Sequence, residues 1–187
     1  MTKSSPPPLL PERKLERVLR ISRADGMAVM LCAGLSVLFS LPAQAWVFAA
    51  FSALAIVASG MEWHGHQRLR TGDESGLGWL IGAQACLYTV IVGYALWRLQ
   101  NFAPATYWAE IPAPAREQIE SQMVEAGLDP AADRDLLLRT MNFLTCVILV
   151  GVSTLYQGGL ALWYRLQRPA IRLALENPST PAEASID

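Results

Sequence analysis

Hydrophobic positions in this chain come in long blocks separated by charged segments, without the short periods of a soluble fold. From Gly26 to Met61 the sequence runs 36 residues without a formally charged side chain. One helix of that length would extend roughly 54 Å, against a hydrocarbon core of about 30 Å. Leu41-Pro42-Ala43-Gln44 interrupts the run near its middle, which predicts two spans folded as a hairpin. Two further uncharged runs, from Ser75 to Trp97 and from Thr140 to Tyr164, are each long enough to cross a bilayer. Backbone in lipid must satisfy its own hydrogen bonds, and isolated apolar runs do so as helices. The pattern therefore predicts an all-α integral membrane protein, a four-transmembrane-helix bundle within residues 24–165, with spans at about 24–41, 45–61, 76–97 and 141–163.

The segments between and around the spans predict smaller elements. Residues 1–10 are polar and proline-rich, the composition of a disordered tail. Residues 11–23, PERKLERVLRISR, place Leu15, Val18, Leu19 and Ser22 on one helical face among basic residues, with Pro11 in the first turn. This predicts an amphipathic interfacial helix on the cytoplasmic membrane surface. Thr71 and Glu74 fit a capping box, so the third span is expected to begin near residue 72. In the loop 98–140, Asn101 to Pro114 holds three prolines and reads as irregular. Ala115 to Ala126 reads as a helix with Ile119, Met123 and Ala126 on one side and Gly127 at its C-terminal cap. Asp129-Pro130 then reads as the start of a helix that continues through Leu136-Leu137-Leu138 into the fourth span. The loop is thus expected to form a helical extracytoplasmic cap between helices 3 and 4, and residues 166–187 a cytoplasmic tail.

Composition agrees with the pattern: 52% of residues are hydrophobic and the mean hydropathy is +0.27. The net charge of −1 says little, but the distribution of charge orients the chain. Eleven basic residues lie before the first span, between spans two and three, and after span four; four lie in the loop 98–140 beside seven acids. The positive-inside rule puts both termini in the cytoplasm, as expected for a bacterial inner membrane. Trp46, Trp63, Trp79, Trp97 and Trp163 all fall near predicted span ends, where amphipathic rings prefer to sit. Cys32, Cys86 and Cys146 lie inside spans, which argues against a disulfide framework. A leader peptide ending at Ala43-Gln44-Ala45 is the competing reading of the N-terminus. Its cleavage would leave Trp46 opening the next span directly, so the uncleaved hairpin is preferred.

Candidate chemistry is sparse. Both histidines fall in Glu62-Trp63-His64-Gly65-His66-Gln67-Arg68-Leu69-Arg70, at the end of span two. If the helix continues, Glu62, His66 and Arg70 stack at i, i+4 and i+8 while His64 faces elsewhere. If the backbone turns at Gly65, then Glu62, His64 and His66 could converge on a divalent metal. The bland reading prevails: Glu62, His64, His66, Arg68 and Arg70 bind lipid headgroups, a partner or a ligand, with no catalytic residue, cofactor or metal site expected. The uncharged runs hold no Asp, Glu, Lys, Arg or His, and intramembrane ionisable groups are the usual mark of proton relays and coupled transport. Small residues do stand out. Gly78, Gly82, Ala85, Cys86, Thr89 and Gly93 form a stripe along span three, expected to pack against other helices of the bundle. Gln84 and Gln157 lie at similar depth in spans three and four and are expected to hydrogen-bond each other.

Together these features favour a non-enzymatic accessory, scaffold or assembly subunit of a membrane complex, in contact with the lipid bilayer and with a protein partner or further copies of itself, and not with nucleic acid. The first alternative is a small channel or transporter formed by oligomerisation. The second is a metal-dependent membrane enzyme using Glu62, His64 and His66.

Overall fold

The structure, a computed structural model, describes residues 11–176. The expected disordered tail 1–10 and residues 177–187 of the expected C-terminal tail lie outside the described residues. Among those described, every regular element is a helix: α1 (Pro11–Ser40), α2 (Trp46–Arg70), α3 (Gly76–Asn101), α4 (Pro104–Glu110), α5 (Ala113–Glu125) and α6 (Arg134–Glu176). Four of them, α1, α2, α3 and α6, are long and apolar enough to cross a membrane. Leu31, Leu35, Leu38 and Phe39 on α1, and Phe143, Ile148, Val152 and Leu155 on α6, are exposed. So much open apolar surface is compatible with lipid contact and not with water.

The chain divides into two compact units. The first holds α1, α2, the part of α3 up to Val90 and the part of α6 from Thr154. Its core is Val18, Leu69, Leu77, Leu80, Tyr164 and Ile171, with Leu15, Leu19 and Leu160 packed against it. The second, residues 91–153, contains the end of α3, α4, α5 and the start of α6.

Several expectations about boundaries change. The segment 11–23 is not a separate interfacial helix; it is continuous with the first span as α1. Its Leu15–Val18–Leu19–Ser22 face is turned into the protein core, and Val18 is fully buried. That apolar stripe finds protein side chains to cover it and leaves only the basic faces outside. At the far end, α6 runs on past the expected span to Glu176 with Pro169 inside it. A proline in a helix interior costs about 3 kcal/mol, but Ile171 and Ala174 beyond it are buried, and their packing holds the helix together.

The turns follow local backbone chemistry. At Leu41–Gln44 the hairpin turns as expected, with Gln44 at φ 54° and the Ala45 N–H donating to the Ser40 carbonyl at 3.0 Å. Between α2 and α3, Gly72 takes φ 87°, its N–H bonds the Leu69 carbonyl, and the Asp73 N–H bonds the Arg68 carbonyl. This is a Schellman stop, so the capping box centred on Thr71 does not form. Thr71 Oγ1 donates back to the Arg68 carbonyl, and Asp73 caps instead by accepting the Ser75 N–H at 2.8 Å. α3 consequently starts at Gly76. Gly127, at φ 78°, ends α5 with the same pair of bonds, made by its own N–H and that of Leu128. The expected irregular stretch contains a short helix, α4, with Pro104 in its first turn. Asp129-Pro130 forms a turn in which Asp129 accepts the Ala131 N–H, and α6 begins beyond it, at Arg134.

Candidate functional site

The hairpin of α1 and α2 decides where the polar groups meet. Asp25 and Glu62 are the residues that flank the long uncharged run. Folding that run at Ala43-Gln44 returns its two ends to the same level, since Asp25 is as far before Ala43 as Glu62 is after Gln44. Both are buried: Asp25 is 8% exposed and Glu62 only 2%. Gln84, on α3 and 1% exposed, bridges them. Its Nε2 donates to Asp25 Oδ2 at 2.9 Å and to Glu62 Oε1 at 3.3 Å. α6 supplies two hydroxyls from one face. Tyr156 donates to Asp25 Oδ1 at 2.8 Å, and Tyr164 donates to Glu62 Oε1 at 3.3 Å.

A second layer of bonds ties the same helices together. Ser59 Oγ donates to the Gly26 carbonyl at 2.6 Å. His66 lies one turn beyond Glu62 on the same face, and its Nδ1 is 3.1 Å from Ser22 Oγ. His66 then borders a groove lined by Arg20, Arg23 and Arg70, with Leu19, Ala24 and Met27 completing it.

The expected site residues are therefore divided. Because α2 remains helical through Gly65, Glu62, His66 and Arg70 share one side and His64 takes another. His64 is exposed, accepts from Arg68 Nε at 3.0 Å, and meets the Trp79 ring edge-on at 4.7 Å. Arg68 also reaches Asp73 Oδ2 at 3.2 Å and Ser75 Oγ at 2.8 Å. Glu62, His64 and His66 do not converge, and no cluster of three potential metal ligands occurs among the described residues. Outside the spans, the Asp73 carboxyl is held below the usual carboxylate range, chiefly by the Ser75 hydroxyl and amide and then by Arg68.

Two packing expectations are corrected. Gln84 does not pair with Gln157: its N–H groups are taken by the carboxylates, and the side-chain oxygens of both glutamines are buried without a hydrogen-bond partner among the described residues. The small-residue stripe on α3 packs against its own bundle only in part, at Gly82, whose Cβ would lie 3.6 Å from Met61 Cε. Gly78, Ala85 and Thr89 are exposed, Gly82, Cys86 and Gly93 are half-buried, and a Cβ at Gly78 would meet nothing within 4 Å. The buried face of α3 is Leu77, Leu80, Ala83, Gln84 and Leu87. Close backbone approach occurs instead at Gly65 and Gly76, where a Cβ on either would run into the other's carbonyl oxygen.

Asp25, Tyr156, Tyr164, Ser22 and Ser59 were not foreseen as site residues. The available signal was the equal spacing of Asp25 and Glu62 from the hairpin turn. Chemically, the constellation is two carboxyl groups buried side by side and surrounded by neutral hydrogen-bond donors. Among the described residues, no Lys, Arg or His bonds either carboxyl group. Two carboxyl groups so placed cannot both stay ionised without a compensating charge, which a shared proton or a bound cation would supply. No protein-family model matches the chain, no curated protein matches its sequence, and no solved structure matches its fold.

Proposed function

We propose that this chain is a small membrane transporter or channel that binds and passes a monovalent cation, the proton included, at the Asp25–Glu62 pair. The observation that carries this reading is the burial of both acids around the Gln84 amide, with hydroxyl donors but, among the described residues, no cationic side chain bonded to them. Ionisable groups in the apolar part of a membrane bundle are costly, and they are retained where a charge is bound or moved. The accessory-subunit reading rested mainly on spans free of such groups, and the acids at the ends of the hairpin remove that support. In the orientation favoured by the distribution of basic residues, the pair lies near the cytoplasmic ends of the first two spans.

The test is flux. The purified chain, reconstituted in liposomes, should dissipate a proton or alkali-cation gradient, and Asp25→Asn with Glu62→Gln should slow this at least tenfold while the fold survives. Equal flux from wild type and the double variant would reject the reading.

One observation favours an accompanying protein contact. The small residues Gly78 and Ala85, both exposed, with the half-buried Gly82 between them, would let another helix approach closely. A second copy or a partner subunit seated there would fit both an oligomeric channel and an accessory role. Replacing Gly78 by Leu should then abolish cross-linked oligomers or partner co-purification from native membranes, without unfolding the monomer.

A further inference from the structure

Residues 91–153 contain a cavity of about 410 Å³, built from the end of α3, from α4 and α5, and from the first turns of α6. That volume lies within the range of small-molecule sites. The walls are mainly apolar, with Trp108, Met123 and Leu138 buried along them. The α6 wall, Leu138 to Thr145, enters the uncharged stretch that begins at Thr140. The hollow is thus continuous in sequence with a membrane span.

Two guanidinium groups reach the lining. Arg98 is held by neutral partners: its Nε donates to Asn142 Oδ1 at 2.6 Å, and Nη1 donates to the Tyr94 hydroxyl at 3.3 Å. Among the described residues no carboxylate lies within 4 Å of it. Arg134 sits over the Trp108 ring, 5.4 Å from its centroid. Its Nε is buried and makes no hydrogen bond among the described residues; Asp135 Oδ1, 3.5 Å away on the next residue, does not complete one. One cation is thus oriented in advance without neutralisation, and the other has an N–H still to be satisfied. Guanidinium groups bind carboxylates through just such N–H groups, while most of the remaining lining is apolar, with Tyr107, Gln122, Asn142 and Thr145 the other polar residues.

We propose that this cavity binds a long-chain fatty acid, its carboxylate on Arg98 and Arg134 and its hydrocarbon chain against Trp108, Met123 and Leu138. The site shares no residue with the Asp25–Glu62 pair and stands independently of the transport reading.

The test uses the full chain in nanodiscs of phosphatidylcholine, with radiolabelled hexadecanoate as probe, hexadecanol as neutral analogue, and empty nanodiscs as background. Saturable hexadecanoate binding is expected, at least tenfold weaker in the Arg98→Gln/Arg134→Gln variant, with hexadecanol weak and unaffected by the substitutions. Hexadecanoic acid brominated along its chain should quench a component of the tryptophan fluorescence that is absent in Trp108→Phe. Leu138→Trp, which fills the cavity and leaves both arginines in place, should also abolish binding, and it decides the matter if the arginine variant fails to fold. Absence of saturable binding, equal affinity for acid and alcohol, or unchanged binding in Leu138→Trp would overturn the proposal.

Discussion

Gly65→Ala tests the packing that brings α2 against α3. A methyl group at position 65 would lie 2.8 Å from the Gly76 carbonyl oxygen and 3.0 Å from both Leu80 Cδ2 and Trp79 Cβ. The first of these is backbone, and it falls about 0.6 Å short of ordinary van der Waals contact, so the helices must part. Overpacking of this kind costs about 1–3 kcal/mol. Against it stands the gain of about 0.5–1 kcal/mol from replacing glycine by alanine inside a helix. The expected net effect is destabilisation, by up to about 2.5 kcal/mol. Gly78→Ala supplies the control, since nothing lies within 4 Å of a Cβ there; only the helix gain remains, and the variant should be more stable by up to about 1 kcal/mol. The two substitutions have the same chemistry and opposite expected signs. Unfolding by sodium dodecyl sulfate in mixed micelles, followed by far-ultraviolet circular dichroism, measures both. A Gly65→Ala protein as stable as wild type would refute the close approach of the two backbones. So would additive losses in Gly65→Ala/Gly76→Ala, because one separation of the helices should relieve both clashes.

Three further outcomes follow from local geometry. Gly127→Ala forces a side chain into φ 78° at the end of α5 and should cost about 1–2 kcal/mol, read as a lowered thermal midpoint. Asp73 has a depressed pKa, so its bonds to Ser75 and Arg68 stabilise the α2–α3 turn above its unfolded pKa and are lost as pH falls through the lower folded value. Protection of the Ser75 amide against hydrogen exchange should therefore drop on acidification below about pH 4 in wild type; in Asp73→Asn it should show no such step. Tyr164→Phe keeps a fully buried ring and removes only the hydroxyl bonded to Glu62. Its cost should be about 0.6 kcal/mol, at most about 1.7, and a double-mutant cycle with Glu62→Ala should recover that coupling.

The fold was legible wherever long-range composition decides and illegible wherever short-range packing does. Lipid compatibility is a property of stretches of about 20 residues, so the four apolar helices and the turn at Leu41–Gln44 could be read directly. Element ends could not, because they depend on what covers them. Leu15, Val18 and Leu19 read as a membrane-facing stripe until the Leu69–Leu80–Tyr164–Ile171 surface is in place to receive them. Residues 166–176 read as part of a tail until Ile171 and Ala174 are seen to be buried there, within α6 and beyond Pro169. Thr71 fits a capping box equally well whether or not Gly72 has already closed α2 with a Schellman stop.

The candidate site was hidden by the same feature that exposed the fold. Counting uncharged residues defines a span by where its charges stop, and so discards the charges at its edges as solvent-facing. In a hairpin that inference fails, because the first edge and the last edge are adjacent in space. Asp25 and Glu62 stand equally far on either side of Ala43-Gln44, and two antiparallel helices leaving one turn bring them to one level. Whether such a pair is solvated or buried then depends on what closes over it. Here Gln84 from α3 and Tyr156 and Tyr164 from α6 do so, each with a donor aimed at a carboxylate oxygen. An amide and two phenols are neutral lids: they satisfy oxygen lone pairs without supplying charge. An arginine or lysine at any of those three positions would have offset one of the two negative charges from within the protein. With neutral lids the pair has no cationic partner among the described residues, the premise of the proposed cation site, and for that reason the flux experiment and the substitutions at Asp25 and Glu62 test that proposal directly.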